Sequence, residues 1–114
     1  MSRRRSGEIV IILWRDIPAQ VNGREGATRH QVVLPHRFQK AIDRAAMVAD
    51  KKTAHEYVAE WRRETLAAEG DLATCVDALV TDFRHQYTIE RLQALVDNGG
   101  WEAGTASVSQ GDPT

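Results

Sequence analysis

The sequence predicts an α+β domain: a small antiparallel β-sheet of two or three strands at the N-terminus, packed against three or four α-helices. Three observations carry this reading. The run Ile9-Val10-Ile11-Ile12-Leu13-Trp14 is β-branched and aromatic with no polar face, so it suits a strand covered on both faces, or at least one in the middle of a sheet, and not an amphipathic helix. Pro35 marks a change of period, after which apolar residues recur at helical spacing. Strand-forming stretches come first and helical stretches after, with no alternation between them.

Taken in order, Asp16 and Pro18 end or bend the first strand, since proline lacks an amide proton and fits an edge or a corner. Asn22-Gly23 is a turn signal and Gly26 a second flexible point. An irregular hairpin is therefore expected, with residues 19–22 pairing with 29–34 and the loop between them. Phe38, Ala41, Ile42, Ala45 and Met47 or Val48 then carry a first helix through about residue 49, and its alanine-rich stripe lets it lie directly on the sheet. Thr53 with Glu56 forms a capping box opening a second helix, striped by Ala54, Tyr57, Val58, Trp61 and Leu66 and ended by Gly70. Asp71 caps a third helix, where Leu72, Val76, Leu79, Val80, Phe83 and Tyr87 give the clearest amphipathic pattern. Thr88 either caps a shorter fourth helix carrying Ile89, Leu92, Leu95 and Val96, or the third helix continues through it; Asn98-Gly99-Gly100 is the stop, and Trp101 is expected to fold back as a lid. The domain is expected over 8–101, with a flexible N-terminus at 1–7. Residues 102–114 are too polar to offset the entropy of ordering and are expected to be disordered.

With 114 residues the chain has room for one core. Its net charge of −1 creates no global field towards nucleic acid or an anionic membrane, and Arg3-Arg4-Arg5 reads as a solvated terminus. No apolar run approaches the ~20 residues of a membrane span, and Ile9–Leu13 is too short for the core of a secretory signal. The expected location is the cytoplasm, and neither nucleic acid nor membrane is an expected partner. Cys75 is the single cysteine, which rules out an internal disulfide and a cysteine-built zinc site, and its place on an apolar stripe makes it a small core residue.

Among His30, His36, His55 and His85, only His85 has a carboxylate at ligand spacing, Asp82, and two ligands do not make a site. Glu56 and Glu60 lie one turn apart on the expected second helix and read as a solvated face. The glycines match no phosphate-binding fingerprint. The sequence thus assigns no catalytic residue, no metal and no cofactor.

The densest group of distinctive side chains is Trp14-Arg15-Asp16-Ile17-Pro18-Ala19-Gln20-Val21. Strand alternation sends Arg15 away from Trp14 and Asp16, leaving it free to reach a carboxylate, phosphate or carbonyl. The competing reading is a folding corner in which Asp16 caps backbone amides and Arg15 pairs with an acid such as Asp43. On the first reading the candidate binding surface comprises Trp14, Arg15, Asp16 and Gln20, joined by His36, Arg37 and Asp43 from the start of the first helix.

These residues also carry a resemblance. Trp14 to Val21, followed by Leu34-Pro35-His36-Arg37-Phe38-Gln39-Lys40-Ala41-Ile42-Asp43-Arg44-Ala45-Ala46-Met47, looks like the small "virulence factor" domain family of bacteria. Tyr57 to Arg62 fits the same pattern, and Glu90 to Gly100 fits it more generically; the resemblance covers about residues 8–100. The family name records a phenotype and not an activity. In some members the domain resembles the C-terminal part of a larger chain, beside helical repeats and a module similar to part of an iron–sulfur scaffold protein. Stand-alone versions resembling this chain occur beside genes of folate- and corrinoid-dependent methyl transfer. The resemblance brings no catalytic residues. It implies a non-catalytic accessory protein that binds a larger bacterial enzyme or scaffold serving metal-cofactor or one-carbon chemistry. The alternative is a small ligand-binding or enzymatic domain, built as a homodimer, with an anion on Arg15 and Asp16 or His36 as base. A third reading makes the Trp14–Val21 stretch purely structural.

Overall fold

In the computed structural model, which describes residues 7–51 and 53–102, the apolar run becomes β1 (Gly7–Trp14), the central strand around which the sheet is built. It pairs antiparallel with β2 (Ile17–Glu25) on one side and with β4 (Trp61–Ala68) on the other, and β3 (Thr28–Val33) adds outside β2. The order is β3-β2-β1-β4. The helices are α1 (His36–Val48), α2 (Ala54–Val58), α3 (Leu72–Gln86) and α4 (Ile89–Asp97). The α+β class holds, with four strands where two or three are expected and with four helices.

The extra strand corrects the expected second helix. Its start is where the capping box places it: Thr53 Oγ1 accepts from the Glu56 amide at 3.1 Å, and Glu56 Oε1 accepts from the Thr53 amide at 3.3 Å. The helix stops at Val58, and Trp61–Ala68 runs as β4 beside β1. The apolar stripe that suggested a long helix skips from Trp61 to Leu66, a step that fits no helical turn. A central apolar strand leaves backbone groups unpaired on its second edge, and satisfying them outweighs a weak helical preference. Gly70 then belongs to the connection between β4 and α3, not to a helix end.

The hairpin is also longer than expected. β2 continues through Asn22-Gly23, and the turn is Gly26-Ala27, with Gly26 at φ 60° in the first central position that a type II′ turn asks for. Gly23 serves packing instead: a Cβ there would lie 2.7 Å from Val76 Cγ2 and 3.0 Å from Leu72 Cδ1, so its absence lets α3 settle onto the sheet. A bulge opposite Ile12 and Leu13 admits Pro18 into β2, at a level β3 does not reach, since its pairing begins at Gln20.

Asp71 and Thr88 cap α3 and α4, accepting from the amides of Thr74 and Arg91, so α4 is a separate helix. Thr74 also donates its hydroxyl to Asp71, and these hydrogen bonds hold the Asp71 carboxyl below its ordinary range. α3 packs on β2, β3 and β1, and His30 of β3 meets Asp77 of α3 at 3.0 Å. α1 packs chiefly on α4, touching the sheet at β2, rather than lying wholly on the sheet. Its small Ala41, Ala45 and Ala46 are buried with Phe38 and Ile42. Among the described residues no helix is long and apolar enough to cross a membrane. Apart from Gly7 and Glu102, the expected flexible N-terminus and disordered tail lie outside the described residues.

Candidate functional site

β1 hands over to β2 through the turn Arg15-Asp16, so strand alternation does not govern Arg15. Arg15 takes φ 54°, an uncommon conformation for a long side chain. Contacts from distant parts of the chain hold it. Its amide donates to the Glu60 carbonyl at 3.2 Å, and the Asp16 amide donates to the Gly100 carbonyl at 2.8 Å. The Arg15 guanidinium donates Nε to Glu60 Oε1 at 3.2 Å and Nη1 to the Gly99 carbonyl at 3.0 Å. It also sits 5.2 Å from the ring centre of Trp14 and 5.1 Å from that of Trp101, so Trp101 covers the guanidinium. Asp16 Oδ1 accepts from Arg62 Nη2 at 3.0 Å, and Oδ2 accepts from the Glu102 amide at 2.7 Å. Arg62 closes the ring by donating Nε to the Arg15 carbonyl at 2.7 Å. Burial works against the Arg62 charge, but its bonds and charge pairing with Glu64 and Asp16 win and raise its pKa.

These contacts tie the turn into a corner with β4 and the segment that follows α4. The acid partnering Arg15 is Glu60, which also meets Lys51 at 3.6 Å, and not Asp43. Arg15 is 12 % exposed at its side chain, with its charge already spent on a carboxylate, and the geometry lends no support to an anion held there. Trp14 is wholly buried, stacked on Tyr57 at 5.7 Å, with its indole N–H donated to the Tyr57 carbonyl at 2.8 Å. Burial in turn pushes the Tyr57 phenol up.

The remaining expected residues are placed less centrally. Asp43 is exposed on α1 and is linked to the corner through Gln39, whose Nε2 donates to Asp43 Oδ1 at 2.9 Å and to the Tyr57 hydroxyl at 3.5 Å, and its charge also bears on the Tyr57 phenol. Arg37 binds elsewhere, donating to the carbonyls of Arg84 at 2.8 Å and Tyr87 at 3.3 Å, over the ring of Phe38. His36 is exposed at the start of α1. Gln20 lies on the sheet face turned away from α3 and donates to Asn22 at 3.1 Å. Glu60, Arg62, Tyr57, Gly99, Gly100 and Glu102 were not among the expected site residues. The available signal was the Tyr57–Arg62 motif, which loses its meaning when read as one more helical turn.

The outward face has its own character. Register places Val10 between Asn22 and Thr65, and Ile12 between Gln20 and Arg63. Both aliphatics are half-buried there, on the floor of a hollow of about 230 Å³. Arg24, Arg29, Arg63, Asn22 and Gln31 stand around them. Arg24 pairs with Glu8 at 3.0 Å, while Arg29 and Arg63 have no acidic partner among the described residues. Cys75 is half-buried and donates Sγ to the Glu69 carbonyl at 3.3 Å. Among the described residues no group of three or more His, Cys, Asp or Glu is placed to hold a metal ion.

Fold and corner together define the class: a small α+β domain with a four-stranded antiparallel sheet, α3 on one face and half-buried aliphatics on the other, and a hairpin corner locked by ion pairs to Glu60 and Arg62 and by hydrogen bonds to the segment that follows α4. The chain belongs to the Virulence factor family, whose model matches residues 12–96, about three quarters of its length. No match was found among curated proteins or among solved structures.

Proposed function

We propose that the protein is a non-catalytic accessory module that docks onto a larger protein through the outward face of its sheet. The observation that supports this reading is the placement of Val10 and Ile12, half-buried on a solvent-facing sheet and surrounded by Arg24, Arg29 and Arg63. An apolar centre inside a polar, arginine-rich rim is the anatomy of a protein interface. Gln20, of the expected binding residues, belongs to this face. Trp14, Arg15 and Asp16 act one step back, by fixing the hairpin that presents it. The rim selects a partner with acidic residues around an apolar patch. The setting suggested by the family resemblance makes that partner an enzyme or scaffold of metal-cofactor or folate- and corrinoid-dependent one-carbon chemistry.

The test is Ile12→Glu and, separately, Arg63→Glu in the full chain, each checked for native circular dichroism. Affinity capture from native extract should recover with the parent chain a protein that both variants lose. Undiminished recovery with both folded variants would reject the reading.

A further inference from the structure

We infer that the groove between α1 and α4 docks an acidic, amphipathic helical segment of a partner protein, at a surface separate from the outward sheet face. The groove encloses about 200 Å³. Its floor is apolar, made by Ala41 on α1 and by Leu92 and Val96 on α4. Ile89 stands on the α4 rim with 72 % of its surface exposed, although a large aliphatic is ordinarily drawn inward. The α1 rim is cationic: Arg37, Lys40 and Arg44 follow one another at three- and four-residue steps, so they share one side of the helix over about 10 Å.

Among the described residues no acid lines the groove. Lys40 and Arg44 have no acidic partner among the described residues, and Arg37 gives its hydrogen bonds to neutral carbonyls. The chain as a whole carries −1, so this positive stripe is local and not the edge of a global field. A ligand that satisfies both features needs one or two apolar side chains for the groove and a row of carboxylates for α1. An amphipathic helix supplies both at the repeat that the two rims display. Exposed Val48, four residues beyond Arg44, prolongs the apolar contact. The apolar floor and Ile89 favour a protein segment over a nucleic acid, which would use the cations alone.

The experiment uses the full chain and labelled peptides of about 18 residues, long enough to hold a helix. One peptide carries leucines at helical spacing with glutamates elsewhere, a second replaces the glutamates with lysines, and a single-stranded oligonucleotide is the third probe. Anisotropy titration should show binding of the acidic peptide that weakens with added salt. It should weaken about tenfold in a Lys40→Glu/Arg44→Glu double variant and again in Ile89→Ser, all three positions being exposed enough to spare the fold. The loss in the groove variants should persist in the Ile12→Glu background, which removes any binding at the sheet face; binding abolished by Ile12→Glu alone, with both groove variants silent, would put the peptide on the sheet face and overturn the inference. Equal or better binding of the basic peptide or the oligonucleotide would overturn the inference, as would failure of the acidic peptide to bind or its indifference to both groove variants. A concentration-dependent dimer that Ile89→Ser dissolves would assign the groove to a second copy and overturn it equally.

Discussion

Arg15 concentrates the economy of this fold in one side chain. A non-glycine residue at φ 54° is held by partners on the α2–β4 connection and at the end of α4. Removing the side chain would leave Glu60, 24 % exposed, with Lys51 at 3.6 Å as its remaining ion-pair partner. Arg15→Ala is therefore expected to cost about 3 kcal/mol or more in a urea titration, as loss of one member of a largely buried pair does. A loss under about 1 kcal/mol would instead return Arg15 to the role of an accessible recognition group. Lysine is a poor substitute, because a single ammonium cannot reproduce the fork that spans Glu60 and the Gly99 carbonyl. The charge and rarity of Arg15 are visible in the sequence, but its partners are not, because alternation wrongly extends the strand through the turn.

At the scale of elements, signals confined to a few neighbouring residues were legible in the sequence. The caps at Thr53, Asp71 and Thr88 are each a side chain bonded to an amide three residues ahead, and the structure has all three. Signals whose meaning depends on a distant element were not. Gly23 looks like half of a turn and is instead the point where α3 approaches β2. Gly23→Val tests this: strand propensity alone predicts a gain. The collision with Val76 and Leu72 predicts a loss of about 1–3 kcal/mol, measured by thermal unfolding. β4 is not legible locally for the same reason, since what makes Trp61–Ala68 a strand is the free edge of β1, about fifty residues earlier.

For the whole molecule, the corner is where the chain closes on itself. Arg15 meets Gly99 across 84 residues of sequence, and Asp16 meets Glu102 across 86. Gly100, at φ 101°, brings its backbone against Trp14, where a Cβ would lie 3.0 Å from the indole. The stretches that carry the family resemblance meet at this corner: the β1–β2 turn, Gln39 of α1, Tyr57 to Arg62, and the end of α4. A chain ending at Asn98 loses the Gly99, Gly100, Trp101 and Glu102 contacts together. Compared with a chain ending at Glu102, it is expected to unfold at a lower midpoint, with tryptophan fluorescence and far-ultraviolet circular dichroism moving together. Fraying of α4 alone, with the tryptophan transition unmoved, would contradict this.

The sequence by itself determined the α+β class, the central apolar strand and the helix starts, because each rests on propensity, period or a cap written within a few residues. The fourth strand, the true hairpin turn, the partners of Arg15 and Asp16, and the outward face and α1–α4 groove belonged to the tertiary structure alone. These depend on backbone and charged groups finding partners tens of residues away, and no local pattern records which partner is near when the chain has folded.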